Sequence, residues 1–138
     1  GSSFYLQHYY PNIKNYSVEP EEFNDTQLSL ENKKIISNKK SSQSICDALL
    51  APQPGSITFP INQTTLSGGL TVSDLDVKKT IIQLAENLKI IAEPGGAVAA
   101  AALLFNKIEI KNKNVVVMIS GSNIDYSFFS SIIAQQYE

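Results

Sequence analysis

The spacing of hydrophobic and polar positions gives its clearest prediction between residues 73 and 93. Apolar side chains recur there every three or four residues, which is the period of an amphipathic helix. Ser73 is a suitable N-terminal cap, and Asp74 and Asp76 would lie in the first turn, where the helix dipole favours negative charge. The sequence therefore predicts a long helix with one apolar face, formed by Leu75, Val77, Ile81, Ile82, Leu84, Ala85 and Leu88.

Two further apolar runs follow this segment. The run "EPGGAVAAAALLFNK" (93–107) places Pro94 and two glycines before several alanines, which predicts a helix whose small side chains allow close packing. The run "NVVVMIS" (114–120) is short and almost wholly apolar, as in a buried strand of a parallel sheet. The polar turn after it leads into another helical pattern at 126–138.

The first half of the chain gives shorter signals, bounded by prolines, glycines and polar residues. Helices alternating with short strands indicate an α/β fold, with a parallel sheet that helices cover on both faces. We expect a single domain over residues 1–138. The elements predicted before residue 73 are a helix in 1–10, a strand in 14–20, a helix from 24 to about 36, a polar loop in 37–44, a helical turn in 45–56, and extended segments in 57–63 and 68–73.

Composition narrows the classes of function. The formal net charge is −2 and all 11 basic residues are lysines, which argues against a nucleic-acid-binding face. No apolar run reaches the roughly 18 residues that cross a membrane. With Cys46 as the single cysteine and His8 as the single histidine, the sequence argues against an internal disulfide and against triad catalysis. We expect a cytoplasmic protein and, if it is an enzyme, one whose cofactor supplies the chemistry.

The stretch "ISGSNID" (119–125) places small and polar residues where a strand should end. In an α/β sheet, ligands bind beyond the carboxyl ends of the strands. Ser120 could bond through its hydroxyl, Gly121 permits close backbone approach, and Asn123 could orient a ligand or cap the next helix. Spacing alone leaves two interpretations open, a plain strand-to-helix turn and a ligand contact.

Carboxylates precede a proline in two other stretches. In "AEPGG", Glu93 stands before a helix N-terminus that favours anions and polar ligands, and its charge beside an apolar segment needs a partner. In "VEPEEFND", Glu19 and Asp25 belong to an acidic group that suits a hard cation such as magnesium or calcium. Ordinary capping of a helix N-terminus is the alternative for this second group.

Taken in order, these stretches resemble one family. "SVEPEEF" with Asp25, "SICDALLAPQPGSITFPI", "LTVSDLDVKKTIIQLAENLKIIAEPGGAVAAAALL" and "VVVMISGSNID" are similar to the second half of the catalytic domain of threonine/serine ammonia-lyases (dehydratases), relatives of serine racemase. The resemblance covers residues 1–133. It implies a pyridoxal-phosphate enzyme of fold type II (tryptophan-synthase-β-like) that removes water and ammonia from threonine or serine to leave a 2-oxo acid.

The resemblance assigns cofactor contacts to five positions. Ser120 matches the serine that hydrogen-bonds the pyridine nitrogen of the cofactor, and Gly121 and Asn123 shape the same turn. Glu93 matches a glutamate close to the cofactor ring. Ala48 falls where the family usually has a glycine whose backbone passes the active site, so the extra methyl group is expected to tighten the pocket.

The resemblance also implies a divalent-cation site. Glu19, Asp25 and the backbone carbonyl of Phe23 match the ligands of this site in several relatives. Magnesium or calcium is the expected ion.

Two parts of the family pattern have no counterpart in this chain. These are the lysine that forms the Schiff base, found in an early Ser-Phe-Lys-x-Arg motif, and the glycine-rich phosphate loop. We therefore expect no catalytic residue here and no dehydratase activity from this chain alone. The resemblance implies the C-terminal portion of a catalytic domain, with an N-terminal half as partner, a small amino-acid substrate, a homo-oligomer and a setting in isoleucine biosynthesis. A serine or amino-acid racemase and a non-catalytic α/β binding module remain alternatives.

Overall fold

The computed structural model describes residues 1–39 and 41–134. Within these residues the chain forms two strands and six α-helices. The strands are β1 (Tyr16–Pro20) and β2 (Gly68–Val72). The helices are α1 (Ser2–Tyr9), α2 (Asp25–Asn32), α3 (Thr58–Thr65), α4 (Asp74–Gln83), α5 (Pro94–Leu104) and α6 (Tyr126–Ala134).

The two strands form a parallel pair, from Tyr16 opposite Gly68 to Pro20 opposite Val72. Both α2 and α5 contact both strands. Successive strand residues point to opposite faces, so Gly69 faces α2 while Val72 joins the core around α5. A Cβ atom at Gly69 would lie 2.7 Å from the Cβ of Gln27, so only glycine lets α2 approach this closely. The predicted parallel sheet with helices on both faces is confirmed.

The hydrophobic core lies between β2, α4, α5 and α6. The alanines of α5 allow it to pack closely against α4, as the alanine-rich run predicted. The capping box at the start of α4 is also present, because Ser73 Oγ accepts from Asp76 N and Asp76 Oδ2 accepts from Ser73 N. The buried residues of this core include Val72, Val77, Ile81, Ala97, Val98, Ala101 and Ile132.

The prediction of an extended segment at 57–63 is wrong. Residues Thr58–Thr65 form α3, and the side chain of Phe59 in this helix is buried. Pro60 argued for an extended segment, but it occupies the first turn of the helix, where a backbone N–H has no intrahelical partner and its absence costs little.

Two predicted helices end earlier than the hydrophobic pattern suggested. Helix α2 ends at Asn32 because Lys33 adopts a left-handed conformation, with φ of 55°. Helix α4 passes into a π-helical turn at Leu84–Leu88, which ends at Lys89 in the same conformation, with φ of 59°. In both places a residue in the left-handed conformation ends the helix.

The predicted strand at 114–120 is also wrong as a hydrogen-bonded element. The segment is extended, with Val117 and Ile119 against the core, whereas Val116 and Met118 are 88% and 70% exposed. It pairs with no strand in the described part of the chain, and β-structure requires a neighbour for its backbone groups. The side of the segment that carries Val116 and Met118 is therefore covered by no strand of the described residues.

The last predicted helix begins at Tyr126 as expected, and residues 135–138 lie outside the described part of the chain. None of the helices found in residues 1–39 and 41–134 has the length and apolar character needed to cross a membrane.

Candidate functional site

The N-terminus of α5 is built from "EPGG". Glu93 is its N-cap residue in an extended conformation, and Pro94 is the first helical residue, where its missing N–H is no loss. Gly95 and Gly96 follow in the buried first turn. The amides of this turn have no intrahelical acceptor, so the helix end offers hydrogen-bond donors and a partial positive charge.

The turn after the 114–120 segment lies directly against this helix end. Glu93 N donates to Gly121 O at 3.1 Å, and Asn123 N donates to a carboxylate oxygen of Glu93, Oε2, at 2.8 Å. One residue of the helix end thus holds the turn through its backbone and through its side chain. The partner that the charge of Glu93 was expected to need is the backbone of this turn.

Two glycines make this contact sterically feasible. A Cβ atom at Gly96 would lie 2.5 Å from Gly121 O and 2.8 Å from Gly121 N. A Cβ atom at Gly121 would overlap the carboxylate of Glu93. A side chain at Gly96 would push the backbone of the turn away from α5, whereas a side chain at Gly121 would displace the Glu93 carboxylate that binds the turn.

Ala48 reaches the same helix end from another direction. It lies in the 3₁₀ turn Asp47–Leu49, which contacts α5. A Cβ atom at Gly95 would stand 3.3 Å from the methyl carbon of Ala48. The loop before it is anchored to the start of α4, because Asp74 accepts from the Ser44 hydroxyl at 2.6 Å and from Ile45 N at 3.0 Å.

The structure brings the five sequence-predicted cofactor positions together at the N-terminus of α5. Glu93, Gly121 and Asn123 are in direct contact, Ser120 directly precedes them in the turn, and Ala48 borders the neighbouring Gly95. Ser120 and Asn123 are exposed. The hydroxyl of Ser120 makes no hydrogen bond to any described residue, so it remains open to a ligand.

Cys46 lies next to this site but is not a nucleophile. Its side chain is 0% exposed, and burial raises the pKa of its thiol to about 11, with Asp74 and Asp47 adding to the effect and Ser44 opposing it. At neutral pH the group is a buried thiol that packs in the core.

The acidic group that begins at the end of β1 makes a different set of contacts. The two carboxylate oxygens of Glu19 accept from Thr26 N and Gln27 N, both at 2.9 Å, so Glu19 caps the N-terminus of α2. Asp25 is 4% exposed and accepts from the side-chain amide of Asn38 at 2.6 Å. The capping alternative therefore describes what the Glu19 side chain does in this structure.

The same pair of carboxylates is costly to ionise. Burial raises the pKa of Glu19, the bonds from Thr26 and Gln27 oppose that shift, and the charge of Asp25 adds to it. Burial likewise raises the pKa of Asp25, opposed by Asn38. No three His, Cys, Asp or Glu side chains in residues 1–39 and 41–134 could hold a metal ion together, so a cation here would need the Phe23 carbonyl as a further ligand.

Sequence reasoning missed two residues that shape the site. The sequence pattern assigns Gly96 only to the start of a helix, although its lack of a side chain is what allows the backbone of Gly121 to lie against it. Asp74 was assigned to the dipole of α4, although its carboxylate holds the loop that carries Ala48. The second of two glycines after a helix-starting proline was the available signal for the first, whereas the second is a contact between residues 30 positions apart that no local pattern gives.

Comparison with known proteins gives a consistent picture. The family model described as "Pyridoxal-phosphate dependent enzyme" matches residues 1–121. The chain is 33% identical over 135 residues to serine racemase of Schizosaccharomyces pombe, a match that covers 98% of this chain and 42% of that protein. It is 31% identical over 134 residues to L-threo-3-hydroxyaspartate ammonia-lyase of Saccharomyces cerevisiae, covering 97% of this chain and 41% of that protein.

Among solved structures, a threonine deaminase from T.th. superposes with a TM-score of 0.82 at 27% identity. The superposition covers 90% of this chain and 45% of that one. The chain therefore spans less than half the length of the relatives that it matches.

Proposed function

Since the chain belongs to the family of pyridoxal-phosphate-dependent enzymes, we propose that it forms part of an enzyme that eliminates water and ammonia from L-threonine or L-serine. The supporting observation is the docking of the turn that carries Ser120, Gly121 and Asn123 onto the Glu93 end of α5. The cofactor assignment is supported by the exposed hydroxyl of Ser120, which has no partner among the described residues and stands beside Gly121, a residue without a side chain of its own.

The chemistry of the reaction comes from the cofactor, which when bound withdraws electrons from the α-carbon of an amino acid. In our proposal Ser120 hydrogen-bonds the pyridine nitrogen. A neutral hydroxyl need not keep that nitrogen protonated, which moderates the electron withdrawal and favours elimination of a β-substituent. Gly121 and Asn123 set the path of the turn, Glu93 lies beside it, and the methyl group of Ala48 narrows the adjoining space.

A matched pair of serines tests this assignment in the full-length protein. Replacing Ser120 by alanine should weaken cofactor binding about tenfold, the effect of losing one hydrogen bond. The control is Ser122→Ala in the same exposed turn, which should change the affinity by less than about twofold. Cofactor fluorescence measures binding, and release of 2-oxo acid from L-threonine and L-serine measures the reaction. Equal effects of the two substitutions would refute the role of Ser120.

Racemisation is the second candidate, because the relative at 33% identity is a serine racemase. The two reactions are distinguished by product. Full-length protein supplied with L-serine should release pyruvate in excess of D-serine if elimination is the main reaction, and chiral chromatography measures both. D-serine as the main product would favour the racemase, and neither product would favour the non-catalytic binding module.

We also propose that other parts of a longer enzyme cover the open face at 114–120. The match to less than half of each relative and the exposure of Val116 and Met118 support this proposal. A further strand beside this segment would satisfy its backbone, and contact between two copies would account for a homo-oligomer.

A divalent cation bound by Glu19, Asp25 and the carbonyl of Phe23 is an accessory proposal. The support is electrostatic, since burial raises the pKa of both carboxyls, the charge of Asp25 adds to the shift of Glu19, and a cation would oppose these shifts. The capping bonds from Thr26 and Gln27 leave further lone pairs on both oxygens of Glu19.

A further inference from the structure

We infer that Glu93 is a positioning residue that fixes the Ser120 turn by binding the amide of Asn123, and that its negative charge is not required for this role. The inference deepens the proposed function and rests on it for the part that concerns the cofactor. Glu93 has two carboxylate oxygens and a backbone N–H, and both kinds of group face the turn.

The first support is the pattern of hydrogen bonds on each side of Gly121. Its carbonyl oxygen accepts from Glu93 N at 3.1 Å, and two residues later Asn123 N donates to Glu93 Oε2 at 2.8 Å. The turn is therefore held at two points by a single residue. Ser120 directly precedes the first of these points, so its position depends on the clamp.

The second support is steric. The carboxylate of Glu93 occupies the space in which a Cβ of Gly121 would stand, and the backbone of Gly121 occupies the space of a Cβ at Gly96. The side chain of Glu93 is thus packed against the turn as well as bonded to it. The carboxylate faces the backbone of the turn. Its hydrogen bond from Asn123 N requires an acceptor oxygen but does not require a negative charge.

These observations separate positioning from direct action on the cofactor. A glutamine has the same shape and one amide oxygen that can accept from Asn123 N, whereas alanine has neither. If Glu93 acts by positioning, glutamine should preserve the turn and alanine should release it. If Glu93 acts through its charge or through proton transfer, glutamine and alanine should be equally damaging.

The experiment compares Glu93→Gln and Glu93→Ala in the full-length protein. Without cofactor, hydrogen exchange in residues 120–125 should be about tenfold faster in Glu93→Ala, which corresponds to the loss of one hydrogen bond. It should stay within about threefold of the parent in Glu93→Gln. With cofactor, the dissociation constant measured by fluorescence should follow the same order. The control is Glu22→Ala, which removes an exposed glutamate and should leave exchange in 120–125 unchanged.

The results discriminate between the inference and the function on which it rests. Unchanged exchange in Glu93→Ala would overturn the clamp, and so would a glutamine variant that behaves like the alanine variant. Fast exchange in Glu93→Ala with unchanged cofactor affinity in both it and Ser120→Ala would leave the clamp in place and overturn the proposed cofactor site. Loss of affinity in Ser120→Ala with unchanged exchange in Glu93→Ala would overturn only the clamp.

Discussion

Two glutamate-proline pairs occur in this chain and their side chains are used in different ways. Glu19 precedes Pro20 at the end of β1, and Glu93 precedes Pro94 at the start of α5. A proline favours an extended backbone in the residue before it, so the side chains of both glutamates project from the chain in a defined direction. Both carboxylates then accept backbone amides rather than pairing with a lysine.

The difference lies in how far along the chain the amides are. Glu19 binds amides 7 and 8 residues away and so caps the helix that directly follows it. Glu93 binds an amide 30 residues away and joins two segments that the sequence separates. The first contact stabilises the start of α2, whereas the second holds together the two segments of the candidate site. The same dipeptide can therefore serve either purpose, and only the identity of the partner distinguishes them.

The largest expected effect comes from breaking the long-range contact at its closest approach. Gly96→Ala should destabilise the protein by about 2–3 kcal/mol, because the new methyl group meets backbone atoms that cannot move aside. Gly95→Ala is the matched control, since its methyl group meets only side-chain atoms of Ala48 and Leu49 at 3.3 Å and beyond. It should change the free energy of unfolding by less than about 1 kcal/mol. Urea denaturation measures both, and similar midpoints would contradict the close contact.

Removing the local contact should have a smaller effect. Glu19→Ala leaves the amides of Thr26 and Gln27 without their acceptor and should cost about 2 kcal/mol. The neighbouring Glu22 is exposed, so Glu22→Ala should stay within about 0.5 kcal/mol of the parent. Thermal unfolding of the three proteins in metal-free buffer compares them. A Glu19→Ala protein as stable as Glu22→Ala would show that the cap contributes nothing.

The proposed cation site gives a further test of the difference between the two glutamates, because Glu19 is assigned to that site and Glu93 is not. Magnesium or calcium at ten times its dissociation constant should stabilise the parent by about 1.4 kcal/mol through mass action. Glu19→Ala should lose this increment, and Glu22→Ala should keep it. The melting temperature with and without metal gives the result. An equal change of melting temperature in all three proteins, or no change in the parent, would show that Glu19 caps α2 and binds no cation.

The smallest effect is a dependence of stability on pH. Burial raises the folded-state pKa of Glu19 above its ordinary 4.5, so the folded state binds more protons than the unfolded state between the two values. The associated stability is fully present below pH 4.5 and is lost as the pH rises through the folded-state pKa. Glu19→Gln should therefore flatten the fall in the urea midpoint between about pH 4 and pH 7 in metal-free buffer. A steeper fall in Glu19→Gln would reverse the assigned sign.

The fold was predictable where local pattern and tertiary packing agree. The capping box at Ser73 and the alanine run of α5 predicted their helices, because each buries one face against a neighbouring element. The pattern failed at Thr58–Thr65, where the position of a proline within a helix decides its effect. It failed again at 114–120, where the apolar composition was right but no described strand lies alongside.

The site was predictable as a set of stretches but not as a set of contacts. The resemblance selected Ser120, Glu93 and Ala48, and the structure places them around one helix end. The bond between Glu93 and Asn123 could not be derived from the sequence, because no periodicity relates residues 30 positions apart. The stretch around Glu19 by itself favours helix capping, which the structure shows, but leaves metal ligation open because both purposes require the same residue type.

The open segment at 114–120 has a consequence for the colloidal behaviour of the chain. The run of three valines and a methionine pairs with no strand among residues 1–39 and 41–134, and such a run is a template on which identical copies could stack as a cross-β assembly. Lys111 and Lys113 stand four and two residues before its first valine, Val115. In a parallel, in-register stack each lysine would stand about 4.8 Å from the same lysine of the next copy, and the charges would repel along the whole stack. The positions of the two lysines would therefore disfavour stacking of copies through this uncovered segment.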